Sequence, residues 1–169
     1  SEEEAAYMVK EAADAAPDKD GWVRGFSWYH VFWENKKLPT KESLDLYFPD
    51  RPVCLVNAEA HGVWANSRAL EIAGVTRDTP DPFGGEIARD ENGEPTGFFY
   101  ESASGLITKH AFVFSPEEEK TIIREYMKGA AQYGITSTND VQPYFHGNMG
   151  NLEVYSDMDQ NNELTVRIH

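Results

Sequence analysis

NAEAHGVWANSRAL, residues 57–70, follows the apolar run PVCLV at residues 52–56, at a point where a strand is expected to give way to a helix. An uninterrupted apolar run of this length is typical of a central parallel strand that is buried on both faces. Gly74 is a suitable C-terminal cap for a helix over residues 67–73. The stretch therefore places His61, Trp64 and Asn66 between a buried strand and a helix, where functional side chains often lie.

The order of elements after residue 52 predicts an α/β fold. Strand, helix, hairpin, two helices, strand, helix and strand follow one another, which indicates βα units and a parallel sheet. Asn92-Gly93 predicts a type I′ turn in the hairpin over residues 86–101. The sequence SPEE from Ser115 is a strong helix start. That helix is expected to end near Gly134, before the strand 135–140, a loop over 143–150, a helix over 151–160 and a last strand over 163–169.

The first fifty residues have a different character. An Ala- and Glu-rich helix is predicted over residues 2–16, and an aromatic-rich strand over residues 21–33. A short helix over residues 40–47 would use Thr40 as its N-cap. We see no linker that would separate two hydrophobic cores.

Composition excludes several classes of function. The formal net charge is −14, and no basic stripe is present to neutralise nucleic-acid phosphates or an anionic membrane surface. No apolar run approaches the ~18–20 residues of a transmembrane helix. Cys54 is the only cysteine and lies in an apolar run, so we expect an inert core thiol and no internal disulfide. These features predict a soluble, cytoplasmic protein.

Three polar side chains are expected where strands end. His61 follows the strand ending at Val56, Glu101 ends GFFYE, and Asp140 ends ITSTND. Functional groups of α/β proteins cluster at such positions, and these residue types are ligands for divalent metals. Each also has a structural interpretation: His61 as a capping or core hydrogen-bonding residue, Glu101 at a helix N-terminus, and Asp140 in a turn. Because HxH, HExxH, CxxC, GxSxG and Gly-rich phosphate-loop patterns are absent, the sequence contains no complete metal, nucleotide or serine-nucleophile motif.

Six short motifs occur in a recognisable order. They are GW-x-x-G-x-x-W at residues 21–28, H-x-x-W-x-N-S-x-A-L at 61–70, DP-x-GG at 81–85, D-x-x-G-x-P-T-G at 90–97, E-x-A at 101–103 and GITS-x-x-D at 134–140. This order resembles the YtcJ-like branch of the amidohydrolase superfamily, the amidohydrolase-3 group. The resemblance covers about residues 21–169.

The resemblance implies a metal-dependent hydrolase built on a TIM barrel. Such an enzyme would use metal-activated water to cleave the amide or cyclic amide C–N bonds of a small molecule, with zinc as the expected divalent metal. By analogy, Glu101 is the candidate metal ligand and Asp140 the catalytic candidate. His61, Trp64 and Asn66 are candidates for binding substrate or for contacting and orienting the metal ligands.

The chain also departs from the family pattern. The HxH pair of the first barrel strand is missing, and 169 residues are too few for a whole barrel, which takes at least ~200. We therefore interpret the chain as one internal fragment, a partial TIM-barrel segment with a family-specific α+β insertion. Residues 1–100 would be mostly insertion and hairpin, and residues 101–169 would be barrel βα units. The fragment alone would be inactive, and its exposed sheet edges would favour a homodimer. The alternative is a free-standing, non-catalytic α/β domain that binds a ligand or a protein.

Overall fold

The computed structural model describes residues 1–17, 20–140 and 152–169, and it divides the chain into two compact units. Unit 1 is Ser1–Ala111 and unit 2 is Phe112–His169. Each has its own buried cluster, around Trp64 and Phe98 in unit 1 and around Met127 and Met158 in unit 2. The sequence shows no linker because residues 112–114, Phe-Val-Phe, are apolar and lack the composition of one.

Unit 1 is built around a five-stranded mixed sheet with the strand order β1-β2-β3-β5-β4. Only β1 and β2 are parallel, and the other neighbours are antiparallel. The strands are β1 (Val23–Trp28), β2 (Val53–Asn57), β3 (Gly62–Ala65), β4 (Gly85–Arg89) and β5 (Pro95–Glu101), and the helices are α1 (Glu2–Ala15), α2 (Lys41–Asp45), α3 (Ser67–Ala73) and α4 (Gly105–Ala111). Short 3₁₀ turns occupy His30–Phe32 and Ser102–Ser104.

Strand β3 is the main difference from the sequence prediction. The predicted strand-to-helix passage after residue 57 contains a tight turn and then a second strand, which pairs with β2 in the antiparallel sense. All four residues of β3 are buried, so they show no alternation of polar and apolar side chains. The prediction of a parallel sheet is therefore wrong for most of unit 1, although β2 is indeed buried along its whole length.

Two local predictions are corrected by side-chain hydrogen bonds. The β4–β5 hairpin exists, but its turn is wider than a type I′ turn, because the Asp90 carboxylate accepts bonds from the backbone N–H groups of Asn92 and Glu94. Only Gly93 in this turn has a positive φ, of 83°. Thr40 is the N-cap residue of α2 as predicted, but its side chain makes no capping hydrogen bond, and its N–H and hydroxyl both donate to Glu2.

Unit 2 contains a parallel pair of very short strands. Helix α5 (Pro116–Gln132) begins with the predicted capping box, in which Ser115 and Glu118 satisfy each other's backbone N–H groups. It is followed by β6 (Ser137–Thr138), α6 (Leu152–Gln160) and β7 (Arg167–Ile168), and β6 pairs with β7 in parallel. The loop predicted over residues 143–150 lies outside the described residues. A TIM barrel in the longer enzyme, of which this chain would be a fragment, stays a prediction.

Asn66 ties the first half of unit 1 together. Its side chain is fully buried, and its Oδ1 accepts bonds from the N–H groups of Val53, at 2.9 Å, and Ala69, at 3.1 Å. Its Nδ2 donates to the carbonyls of Phe48, at 2.8 Å, and Arg51, at 3.0 Å. One amide group therefore fixes the start of β2, the start of α3 and the loop that precedes β2.

The exterior of the described residues offers two further observations. None of the helices in the described ranges is long and apolar enough to cross a bilayer. Strands β1 and β4 form the two edges of the unit 1 sheet, and pairing of copies through these edges stays a prediction.

Inside the sheet, Cys54 is fully buried, and burial raises the pKa of its thiol to about 12. This agrees with the predicted inert thiol.

We expect Asn66→Ala to destabilise the protein strongly. The substitution leaves two buried N–H groups and two carbonyls without their partner, and such losses typically cost about 1–3 kcal/mol for each buried group that stays unsatisfied. Urea unfolding should therefore show a loss of at least about 2 kcal/mol. Asn35→Ala, which removes an exposed asparagine, is the control and should change stability by less than about 0.5 kcal/mol. Equal stabilities of the two variants would contradict the role given to Asn66.

Candidate active site

His61 and Glu101 form an exposed ion pair in unit 1. Nδ1 of His61 lies 2.9 Å from one carboxylate oxygen of Glu101 and 3.1 Å from the other. The side chains are 65% and 55% exposed, so solvent and a small molecule can reach both. The pair combines a group that can transfer protons with a carboxylate that orients it.

The antiparallel pairing of β3 with β5 brings the two residues together. His61 lies in the turn between β2 and β3, and Glu101 is the last residue of β5. Gly62 is opposite Tyr100 in the ladder, and the N–H of Glu101 donates to the carbonyl of His61 at 2.9 Å. The sequence predicted that His61, Glu101 and Asp140 lie together at the ends of parallel strands. His61 and Glu101 do meet, but at the end of an antiparallel ladder, and Asp140 belongs to unit 2.

Asn57 holds the turn that presents His61. Its Oδ1 accepts bonds from the N–H of His61, at 3.0 Å, and from the N–H of Gly62, at 3.1 Å. The side chain is buried, so these bonds are shielded from water. Asn57 was not among the predicted site residues. The available signal was an asparagine directly after an apolar strand, which is common turn chemistry.

Glu101 adopts an unusual backbone conformation. Its φ is 47° and its ψ is −126°, in a region that residues with a Cβ rarely occupy. Strain of this kind persists only where the surroundings enforce it, and it is concentrated at functional sites. Here the ladder to β3 and the 3₁₀ turn that begins at Ser102 hold the residue on either side.

An open cavity of about 550 Å³ lies beside Glu101. It is lined by Gly84, Gly85, Glu86, Tyr100 and Glu101. Gly85 is opposite Glu101 in the β4–β5 ladder. A Cβ on Gly85 would come within 2.3 Å of the Ala103 backbone nitrogen and 2.8 Å of the Tyr100 carbonyl. Only glycine therefore lets β4 approach the end of β5 so closely.

The pair has a defined electrostatic character. The hydrogen bond that His61 donates to Glu101 is the main cause that raises the pKa of His61 above its usual value, and the charges of Glu101 and Glu59 act in the same direction. Because Glu101 contacts Nδ1, the other ring nitrogen, Nε2, is the atom that can exchange a proton with a bound molecule. The arrangement can thus orient an imidazole and stabilise its charged form.

The other predicted site residues lie elsewhere. Trp64 is fully buried, donates to the carbonyl of Thr40 at 2.8 Å and packs its ring against Trp28. Asn66 is fully buried with the backbone bonds described above. Both side chains therefore belong to the core of unit 1 and do not line the open cavity. Asp140 belongs to unit 2, where it accepts a bond from Tyr155 at 3.0 Å. Burial, together with that bond, raises the pKa of Tyr155 to about 12.

The described residues do not form a metal site on their own. Across residues 1–17, 20–140 and 152–169, no three His, Cys, Asp or Glu side chains come together as a metal centre requires. A catalytic zinc takes three protein ligands and a water, so the pair supplies too few donors. Both oxygens of Glu101 are also within hydrogen-bonding distance of His61, which would compete with a metal for that carboxylate.

Comparison with known proteins points to one family. A family model described as "Amidohydrolase family" matches residues 1–169. The putative amidohydrolase YtcJ of Bacillus subtilis is 34% identical over 88% of this chain, and the protein LONG AFTER FAR-RED 3 of Arabidopsis thaliana is 35% identical over 98%. An N-substituted formamide deformylase of Arthrobacter pascens is 41% identical over 51% of this chain.

The chain spans only part of these relatives. It covers 28% of YtcJ, 29% of the Arabidopsis protein and 16% of the deformylase. An uncharacterized metal-dependent hydrolase from Pyrococcus horikoshii has a similar fold, with a TM-score of 0.64 and 20% sequence identity. That match covers 99% of this chain and 30% of the Pyrococcus chain. The chain therefore has the fold of a portion of that hydrolase, less than a third of its length.

We expect the pKa of His61 to lie above the usual histidine value of about 6.5 and to fall in Glu101→Gln. Because the folded-state pKa is raised, the pair stabilises the fold fully below the unfolded-state pKa, and this contribution is lost as pH rises through the folded-state value. An NMR titration of the imidazole measures the shift. Glu86→Gln, which changes a neighbouring carboxylate in the same cavity, should leave the pKa of His61 nearly unchanged. An unshifted His61 in the unmodified protein would contradict the pair.

Gly85→Ala should separate β4 from the end of β5. The new methyl group would overlap backbone atoms of Tyr100 and Ala103, and overpacking of this kind costs about 1–3 kcal/mol. We expect urea unfolding at lower concentration and a His61 pKa closer to its usual value. Gly105→Ala is the control, since a Cβ there meets nothing within 4 Å. A Gly85→Ala protein as stable as this control would show that the close approach is not required.

Proposed function

Because this chain belongs to the amidohydrolase family, we propose that it is one part of a metal-dependent hydrolase that cleaves C–N bonds other than peptide bonds. The deformylase among its relatives is named for N-substituted formamides, so small amides of this type are the proposed substrate class. Hydrolysis consumes one water and yields a carboxylic acid and an amine.

The His61–Glu101 pair carries the proposal, because it is an exposed acid–base group whose carboxylate lines an open cavity. Glu101 holds the imidazole by Nδ1 and favours its protonated form. When the carbonyl C–N bond breaks, the departing nitrogen needs a proton. We assign delivery of that proton to Nε2 of His61, which makes His61 a general acid oriented by Glu101.

Metal dependence is part of the proposal for the longer enzyme. The Pyrococcus structure is described as a metal-dependent hydrolase, and zinc is the proposed metal. Since too few donors converge in the described residues, the metal ligands would come mainly from outside them. Direct metal binding by Glu101 and a catalytic role for Asp140 remain predictions from the family resemblance. The proton-transfer role of His61 needs neither of them.

The full-length protein tests this function. Purified with zinc and assayed against N-substituted formamides and N-acetylated amines, it should bind metal at a stoichiometric level and release amine. Removal of the metal with a chelator should abolish turnover. A protein that binds no stoichiometric metal and hydrolyses none of these amides would overturn the proposal.

Glu101→Gln tests the pair within that enzyme. General acid catalysis typically contributes about 10²–10⁴-fold, so we expect kcat to fall by about 10²-fold. Because the pKa of His61 falls in this variant, the alkaline limb of the kcat profile should shift to lower pH. Glu86→Gln is the matched control and should change kcat by less than about twofold. Equal losses in the two variants would assign the effect to the charge of the cavity and not to the pair.

A further inference from the structure

We infer that Asn92 is a deamidation site that hydrogen bonds to Asp90 keep closed, so that Asn92 converts to aspartate or isoaspartate only when the hairpin turn opens. The inference goes beyond the proposed function, because it concerns the tip of the β4–β5 hairpin and no step of amide-substrate hydrolysis. It is carried by the Asn-Gly pair, by the exposure of that pair, and by the hydrogen bonds that hold both reacting groups.

Asn92-Gly93 is the only Asn-Gly pair in the sequence, and asparagine is a thermolabile residue type. In deamidation, the backbone nitrogen of Gly93 loses its proton to water and bonds to the side-chain carbonyl carbon of Asn92, whose amide nitrogen leaves as ammonia. Water then opens the resulting cyclic imide at either carbonyl, which yields aspartate or isoaspartate. Glycine favours this attack because it has no Cβ, so the backbone can rotate towards the asparagine side chain.

The hairpin tip exposes the pair to water. Asn92 is exposed, and a Cβ added to Gly93 would meet nothing within 4 Å. Neither burial nor packing against neighbouring side chains therefore hinders the reaction. Protection in the folded protein depends on the hydrogen bonds of the turn.

Hydrogen bonds hold both ends of the peptide group that joins Asn92 to Gly93. The N–H of Gly93, which carries the reacting nitrogen, donates to the carbonyl of Asp90 at 3.0 Å. The carbonyl of Asn92 accepts from the Arg77 guanidinium at 3.4 Å. The nitrogen is thus engaged as a donor, and this peptide group must break its bonds before it can rotate towards the side chain of Asn92.

The carboxylate of Asp90 holds the other reacting group. One of its oxygens accepts from the N–H of Asn92 at 2.9 Å and from the N–H of Glu94 at 2.8 Å, and the side chain of Asn92 also donates to this carboxylate. The bond from the N–H of Glu94 is the main cause that lowers the pKa of Asp90, so the acceptor is ionised at neutral pH. Local opening of the turn must therefore precede the attack.

Peptide mapping by mass spectrometry of the full-length protein, stored folded at neutral pH, tests the inference. We expect Asp90→Ala to speed the deamidation of Asn92 about tenfold, because it removes three modest hydrogen bonds from an exposed turn. Asp90→Asn should retain much of the protection, since its side-chain oxygen can still accept. Equal rates in Asp90→Ala and the unmodified protein would overturn the inference.

Asp50→Ala is the matched control, because it removes an exposed carboxylate that lies outside the hairpin. It should leave the rate at Asn92 unchanged, and an acceleration equal to that of Asp90→Ala would assign the effect to charge and overturn the inference. Asn35, which is also exposed, reports on global opening in the same samples. If Asp90→Ala sped deamidation at Asn35 as much as at Asn92, the effect would not be local to the turn, and the inference would fail.

The same measurement in urea separates the reactivity of the pair from its protection. In the unfolded chain, Asn92 should deamidate faster than Asn35 and faster than it does in the folded protein, and Gly93→Ala should slow it. A rate at Asn92 that urea does not raise would show that the turn gives no protection, which would overturn the inference. None of these readouts uses turnover, so their outcome is independent of the hydrolase proposal.

Discussion

The four hydrogen bonds of Asn66 are the constraint on which unit 1 depends. Its buried amide group makes hydrogen bonds to the loop before β2, to the first residue of β2 and to the first turn of α3, and so holds these three segments together. It fixes where β2 begins and where α3 begins, so the segment between them has a set length in which to turn back. Within that length the chain forms a hairpin, and the turn of this hairpin places His61 against Glu101 at the end of β5. The bonds of Asn66 in the core therefore also help to set the position of the turn that carries His61.

The site itself depends on conformations that are costly in isolation. Glu101 is held at a positive φ, and Gly85 accepts an approach that no other residue could. These features are compatible with a folded unit because the β3–β5 and β4–β5 ladders fix the backbone on both sides. The consequence is a pre-organised pair, because the backbone on both sides holds the imidazole and the carboxylate in contact. Pre-organisation of this kind reduces the reorganisation that proton transfer requires.

Sequence reasoning succeeded where the signal is local. The capping box at Ser115, the left-handed Gly74 at the end of α3 and the buried run of β2 each depend on a few adjacent residues, and all are found in the structure. It failed for β3, because four residues buried on both faces carry no periodic pattern. It also failed for Asn57 and for the internal position of Asn66, because their partners are set by tertiary contacts. The meeting of His61 with Glu101 was expected from strand ends, but the antiparallel ladder that causes it was not.

The buried Cys54 has a practical consequence for studying this chain. Its thiol is inaccessible and its pKa lies far above neutrality, so it is almost entirely protonated and unreactive under ordinary conditions. A cysteine introduced on the exposed surface would thus be the single reactive thiol among these 169 residues. A fluorophore or spin label could then be attached at one chosen position without first removing the native cysteine. Because the native thiol is buried in the core of unit 1, labels can be attached to introduced surface cysteines one position at a time.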